Sequence, residues 1–138
     1  MKKLAVIGLG YVGLPLAIEF GKTRNVIGFD LNKKRINSLS FGQDVTKECS
    51  QKEIKSAKKL KFSSNLDDIK EANIYIVTVP TPVDEVKKPD LFQLKEAVIM
   101  IGKILKKNDL VIFESTVYPG VTEDICIPLL EKFSDLKI

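Results

Sequence analysis

The sequence contains no histidine and only two cysteines, Cys49 and Cys126, among its 138 residues. The first absence excludes His-based triads and His-ligated metal sites. The second leaves too few thiols, too far apart, for a disulfide framework or a zinc site, and no metal is expected. Long apolar runs are missing too: none approaches the roughly 20 residues needed to cross a bilayer. The start, Met1-Lys2-Lys3-Leu4, enters a strand-like run without the apolar core and small-residue cleavage site of a signal peptide. These absences point to a cytoplasmic chain with no membrane partner, and to one domain, residues 1–138. At this length a domain buries roughly two thirds of the surface its unfolded chain exposes.

Charge excludes less. The net charge is +4, from 22 basic and 18 acidic residues. The lysines form short clusters (Lys33-Lys34-Arg35, Lys58-Lys59, Lys87-Lys88, Lys106-Lys107) separated by acids, as on a solvated surface. Basic charge alone signals only nonspecific affinity, so nucleic acid is not an expected partner.

What the chain does have is alternation. Lys3–Gly8 is a short, β-branched apolar run that reads as a buried parallel strand. A helical pattern follows with Val12, Leu16 and Phe20 on one face, and Pro15 lies early in it, where proline costs least. Asn25–Asp30 reads as a second strand, Lys33–Leu39 as a helix broken by Gly42, Ser50–Lys58 as a polar helix and Leu60–Ser63 as a short strand. Asn73–Val79 is the strongest strand pattern. Asp90 and Gln93 are spaced as a capping box before a stripe of Leu91, Leu94, Val98, Ile101 and Leu105. Asp109–Glu114 reads as another buried strand. A last helix, from Thr122 to about Phe133, carries Val121, Ile125 and Leu129, with Pro128 expected to bend it. Such alternation predicts an α/β fold, a doubly wound parallel sheet covered on both faces. In the order 3-2-1-4-5-6 a sixth strand lies beside the fifth, and Leu136-Lys137-Ile138 falls where it would start, so the sheet is expected to lack its last strand.

Gly8-Leu9-Gly10-Tyr11-Val12-Gly13 is G-x-G-x-x-G, placed where a strand ends and a helix opens, as dinucleotide binding requires. Gly8 allows the tight turn, Gly10 lets a pyrophosphate approach the backbone, and Gly13 lets the helix pack on the strand. Backbone N–H groups around Tyr11 and Val12 would face the phosphates, aided by the helix dipole. Asp30 closes the second strand where an acid would bind the adenosine ribose hydroxyls and repel a 2′-phosphate, favouring NAD over NADP. Against that stand Lys33-Lys34-Arg35, which could hold a phosphate, and the plainer reading of Asp30 as a helix cap. Arg35 is expected near the adenosine, where a guanidinium stacks or bonds to ribose. Pro80-Thr81 and Ser115-Thr116 end the fourth and fifth strands on the ligand side; alone, each threonine reads more often as a turn or cap residue. Cys126 has no histidine to activate it and reads as a buried inert thiol; Cys49 carries no better signal.

The run Gly8–Ala17, the segment Val79-Pro80-Thr81-Pro82 and the segment Glu114-Ser115-Thr116-Val117-Tyr118-Pro119-Gly120 together resemble three successive motifs of the UDP-glucose/GDP-mannose dehydrogenase family. Thr81-Pro82-Val83-Asp84, Lys88-Pro89-Asp90 and Cys126–Lys132 resemble the branch that oxidises UDP-N-acetylhexosamines at C6, as in capsule and O-antigen synthesis. The resemblance covers essentially the whole chain and implies a Rossmann NAD-binding domain. It implies an enzyme with a UDP-sugar substrate that oxidises a C6 alcohol to a carboxylate in two steps, consuming two NAD. By the same resemblance Val12, Asp30, Arg35, Thr81 and Thr116 contact NAD, and Thr116 also helps to position a water. The family's nucleophilic cysteine, its helpers and its dimer-forming helix would lie beyond Ile138. A homo-oligomer is implied for the complete enzyme, and no turnover for this chain alone. The alternative is a free-standing, non-catalytic Rossmann module.

Overall fold

The computed structural model describes residues 2–83, 85–114 and 119–138. Its strands are four residues each: β1 (Leu4–Ile7), β2 (Val26–Phe29), β3 (Leu60–Ser63), β4 (Ile74–Val77) and β5 (Leu110–Phe113). They pair in parallel in the order β3-β2-β1-β4-β5, with Leu4 opposite Val26 on one side and Ile74 on the other. The chain winds outward from β1 in one direction, then returns to wind outward in the other. The doubly wound arrangement expected from the alternation is therefore present, with its reversal of order at β1.

Side chains alternate across a strand, and this sheet uses both faces. Leu4 and Val6 of β1, with Ile76 of β4, pack under helices α1 (Gly13–Gly21), α2 (Lys33–Ser40) and α3 (Gln51–Ser56). Ala5 and Ile7, with Tyr75 and Val77, pack under α4 (Phe92–Gly102) and α5 (Ile127–Ser134). Fully buried leucines such as Leu14 and Leu94 each contribute about 1.5–3 kcal/mol. Tyr75, wholly buried, donates its hydroxyl to the Ile69 carbonyl at 3.0 Å, and its burial pushes the phenol pKa up.

Four details differ from the sequence expectations. Helix α1 does not bury the Val12, Leu16, Phe20 stripe: Val12 precedes the helix and is exposed, while Leu14, Ala17 and Ile18 are buried. Before α4, Asp90 accepts the N–H of Phe92 at 2.9 Å and the helix begins one residue beyond Leu91, so Asp90 makes a turn rather than the cap; Leu105 lies past the helix end. The β5 strand is not deeply buried, because it stands at the edge of the five-stranded sheet with Leu110 exposed. Where the sequence pattern predicts an ordinary helix from Thr122, the chain forms a π-helical turn, Thr122–Cys126, in which the Ile127 N–H reaches back to the Thr122 carbonyl. Proline lacks an N–H and crowds the carbonyl four residues back, and the wider turn gives the ring room. One capping box escaped the sequence reading: Ser50 and Glu53 exchange side-chain and backbone bonds at the start of α3.

Candidate dinucleotide-binding site

The turn after β1 is built by close contact. Gly8 has φ +97°, and a Cβ there would lie 2.9 Å from the Val79 nitrogen, so only glycine fits. A Cβ on Gly13 would lie 1.7 Å from the Gly8 carbonyl oxygen and 2.4 Å from Thr78 Oγ1. Helix α1 thus rests directly on the end of β1. Gly10 is the opposite case, since a Cβ there would meet nothing within 4 Å. That space lies over the turn, where a ligand can reach the backbone. Tyr11 and Val12, exposed, flank it, and the amino end of α1 has no side-chain cap and no acid in its first turn. A helix end of that kind favours an anion.

Thr78 is a residue of the crevice that sequence reading missed. It is buried, takes an N–H···O bond to the Ile7 carbonyl at 2.8 Å, and donates its hydroxyl to the Gly8 carbonyl at 2.6 Å. The signal was slight: one hydroxyl ending an apolar strand run.

The Leu9 peptide is held from both sides. Its N–H donates to Asp30 Oδ2 at 3.0 Å, while Asp30 Oδ1 accepts the Asn32 N–H at 2.9 Å. Its carbonyl accepts from Arg35 Nε at 2.9 Å and Nη2 at 2.7 Å. The cap of α2 is Asn32, which accepts the Arg35 N–H at 3.1 Å, leaving Asp30 at the turn. Arg35 is buried and also pairs with Asp44 at 2.5 Å, whose side chain has no solvent exposure. Burial pushes the Asp44 pKa up, but bonds from the Thr46 hydroxyl, Arg35 and the Cys49 and Thr46 N–H groups outweigh it and hold the carboxyl at about 2, below its ordinary 3.8.

That depressed pKa has a sign. As pH falls, the unfolded chain takes up the proton first, so the contribution of Asp44 is complete above about pH 4 and gone below about pH 2. The loss is about 2 kcal/mol. Urea unfolding across that window checks it: Asp44→Asn should flatten the curve of stability against pH by that amount. An unchanged slope would refute the assignment.

Two cavities open at the carboxyl ends of the strands. One, of about 440 Å³, is lined by Gly8, Leu9, Gly10, Asp30, Arg35 and Pro80, with Phe92, Gln93, Glu96 and Met100 from α4. The other, of about 500 Å³, is lined by Gly10, Tyr11, Val12, Thr78, Pro80, Thr81 and Glu114. Gly10, Val79 and Pro80 border both, so they form one crevice astride the glycine turn. The structure therefore brings Gly8, Gly10, Tyr11, Val12, Asp30, Arg35, Pro80 and Thr81 together, with Gly13 beneath them. Ser115 and Thr116 lie outside the described residues. The wall from α4 was not foreseen. Among the described residues no cluster of acids and cysteines could hold a metal, and no helix is long and apolar enough to cross a membrane.

Ligands of open parallel sheets bind where the strand order reverses, and this crevice lies there with a turn that leaves room for one. The domain is accordingly a dinucleotide-binding one of the doubly wound class. More particularly, the chain belongs to the UDP-glucose/GDP-mannose dehydrogenase family: residues 2–138 match that family's NAD binding domain, and its cofactor is NAD. It is 59% identical over 135 residues to the UDP-N-acetyl-D-glucosamine 6-dehydrogenase of Pseudomonas aeruginosa, covering 98% of this chain and 32% of that protein. It is 54% identical over 134 residues to the enzyme of the same name from Salmonella typhi, covering 97% and 32%. The solved UDP-D-ManNAc dehydrogenase of Pyrococcus horikoshii superposes with a TM-score of 0.90 at 33% identity, over 99% of this chain and 33% of that one. The chain spans about a third of the length of the curated relatives it matches.

Proposed function

We propose that this chain is the NAD-binding part of a nucleotide-sugar 6-dehydrogenase that oxidises the C6 alcohol of a UDP-N-acetylhexosamine to the uronate, for capsule or O-antigen polysaccharide. The observation that carries the reading is the crevice astride Gly10, in a domain matched from residue 2 to residue 138 by the family. The names of the two bacterial relatives at more than half identity favour the N-acetylated sugar. Gly8, Gly10, Tyr11, Val12 and Gly13 would hold the pyrophosphate, and Asp30 and Arg35 the adenosine. Pro80, Thr81, Ser115 and Thr116 would border the nicotinamide, with Thr116 also positioning a water. Bound NAD supplies the hydride acceptor. On this reading residues 1–138 form one dinucleotide-binding domain, and the complete enzyme is a cytoplasmic homo-oligomer with separate sugar-binding and dimerising parts.

Neither thiol here suits a covalent role. Cys49 and Cys126 are both buried, and burial, the leading cause, raises the pKa of each. A nucleophilic cysteine needs an accessible thiolate. The 138-residue chain is therefore expected to bind NAD in a calorimetric titration yet form no NADH with UDP-GlcNAc or UDP-GalNAc. The complete protein carrying it should form NADH with one of them. Turnover by the chain alone would overturn the division of labour, and a complete protein acting only on UDP-glucose would overturn the sugar.

A further inference from the structure

A trans peptide is planar, so the carbonyl of one residue and the N–H of the next point in opposite directions. In the glycine turn, the Leu9 carbonyl takes two bonds from Arg35, and the plane of the Leu9–Gly10 peptide cannot rotate without breaking both. The Gly10 N–H is consequently held facing away from Arg35, at the one position of the turn where a side chain would meet open space. What holds Arg35 is Asp44, through Nη1. Asp44 is itself bonded through both oxygens: Oδ1 also accepts the Thr46 N–H and hydroxyl at 3.0 and 2.7 Å, and Oδ2 accepts the N–H groups of Glu48 and Cys49 at 2.9 and 3.0 Å. Asp44 lines neither cavity of the crevice.

We propose that Asp44 is a positioning residue of the cofactor site: acting through Arg35, it fixes the Leu9–Gly10 peptide and so aims the Gly10 donor that meets the pyrophosphate. Without Asp44, Arg35 is a buried cation lacking its counter-charge, and it is drawn off the Leu9 carbonyl towards another acceptor or water. The peptide is then free to turn, and the phosphate end of the site loses its preset donor. The adenosine end does not depend on that donor: it keeps Asp30 and loses only its contact with Arg35. This rests on the crevice being the dinucleotide site.

The test compares NAD, ADP and adenosine, titrated against the folded chain by amide NMR shifts. Asp44→Asn is expected to weaken NAD and ADP by about tenfold, the scale of a lost bond to a charged group, while adenosine, which keeps Asp30 and loses only its Arg35 contact, changes by less than about threefold. Ser50→Ala, which removes the nearby α3 cap without touching Arg35, serves as a destabilised control and should leave all three ligands alone. An equal loss for all three ligands, no loss, or the same loss in Ser50→Ala overturns the proposal. Should Asp44→Asn not fold, Thr46→Val removes one bond to the same carboxylate and is expected to weaken NAD and ADP by about threefold. Wild-type affinity for ADP in that variant overturns the proposal. A wild-type chain that binds none of the three ligands removes the site itself, which is a separate failure.

Discussion

Gly13→Ala is expected to cost the domain about 3 kcal/mol or more and to abolish NAD binding, whereas Gly10→Ala leaves the fold alone and removes only the cofactor. The two differ in what an added methyl would meet. At Gly13 it falls 1.7 Å from the Gly8 carbonyl oxygen, which is main chain and is itself gripped by the Thr78 hydroxyl. Relief requires α1 to lift from β1, and with it Leu14, Ala17 and Ile18 lose their cover. Domains are stable by only about 5–15 kcal/mol, so this is a large fraction, and the melting temperature should fall on the order of 10 °C. At Gly10 the methyl meets nothing of the protein, and its φ is not in the left-handed region. It fills instead the space through which a pyrophosphate reaches the backbone. Gly10→Ala should melt within about 3 °C of the parent and bind NAD at least about tenfold more weakly. Circular dichroism melts and calorimetric titrations of both variants decide it. A Gly10 variant that binds NAD normally would move the phosphates elsewhere, and a stable Gly13 variant would show that the helix–strand contact can relax.

The same contact explains which parts of the fold were legible in advance. Strand and helix order, the parallel sheet and the glycine turn followed from runs such as Lys3–Gly8 and Asn73–Val79, whose residues must be apolar on both faces to be covered on both. The inward face of α1 did not follow. Val12, Leu16 and Phe20 satisfy a helical period, but so do Gly13, Ala17 and Gly21, and close approach to the sheet selects the small residues. A Cβ on Gly21 would lie 2.6 Å from that of Leu60. A count of large apolar residues is blind to such a choice. The site divides likewise. Asp30 was readable because its place at a strand end is a matter of spacing. Asp44 was not, since four of its five bonds come from Thr46, Glu48 and Cys49 in its own loop, and no periodicity marks an acid that folds a loop around itself. The direction of the Arg35 side chain depends on that loop and was equally hidden. Phe92, Glu96 and Met100 face the crevice from the flank of α4 that the Leu94, Val98, Ile101 stripe leaves over.

Asp30→Ala should weaken NAD by about 1–3 kcal/mol and narrow the preference for NAD over NADP. Both carboxylate oxygens of Asp30 already accept a backbone N–H, from Leu9 and Asn32. Each oxygen has two acceptor sites, so both can still receive a ribose hydroxyl. The substitution therefore removes three things together: the ribose acceptors, the brace on the Leu9 and Asn32 N–H groups and the negative charge that repels a 2′-phosphate. Asp30→Asn separates them. Its amide oxygen keeps one acceptor for the Leu9 N–H, while the charge and the acceptor for the Asn32 N–H are gone. For Asn the expected result is a smaller loss for NAD than for Ala, combined with a gain for NADP, because Lys33, Lys34 and Arg35 then act on the 2′-phosphate without opposition. Exposed lysines are worth little individually, so the gain for NADP should stay within about tenfold. Titrations of both nucleotides against parent, Asn and Ala variants read the three contributions apart. If the parent already binds NADP as tightly as NAD, the basic cluster outweighs the carboxylate and Asp30 serves the turn alone.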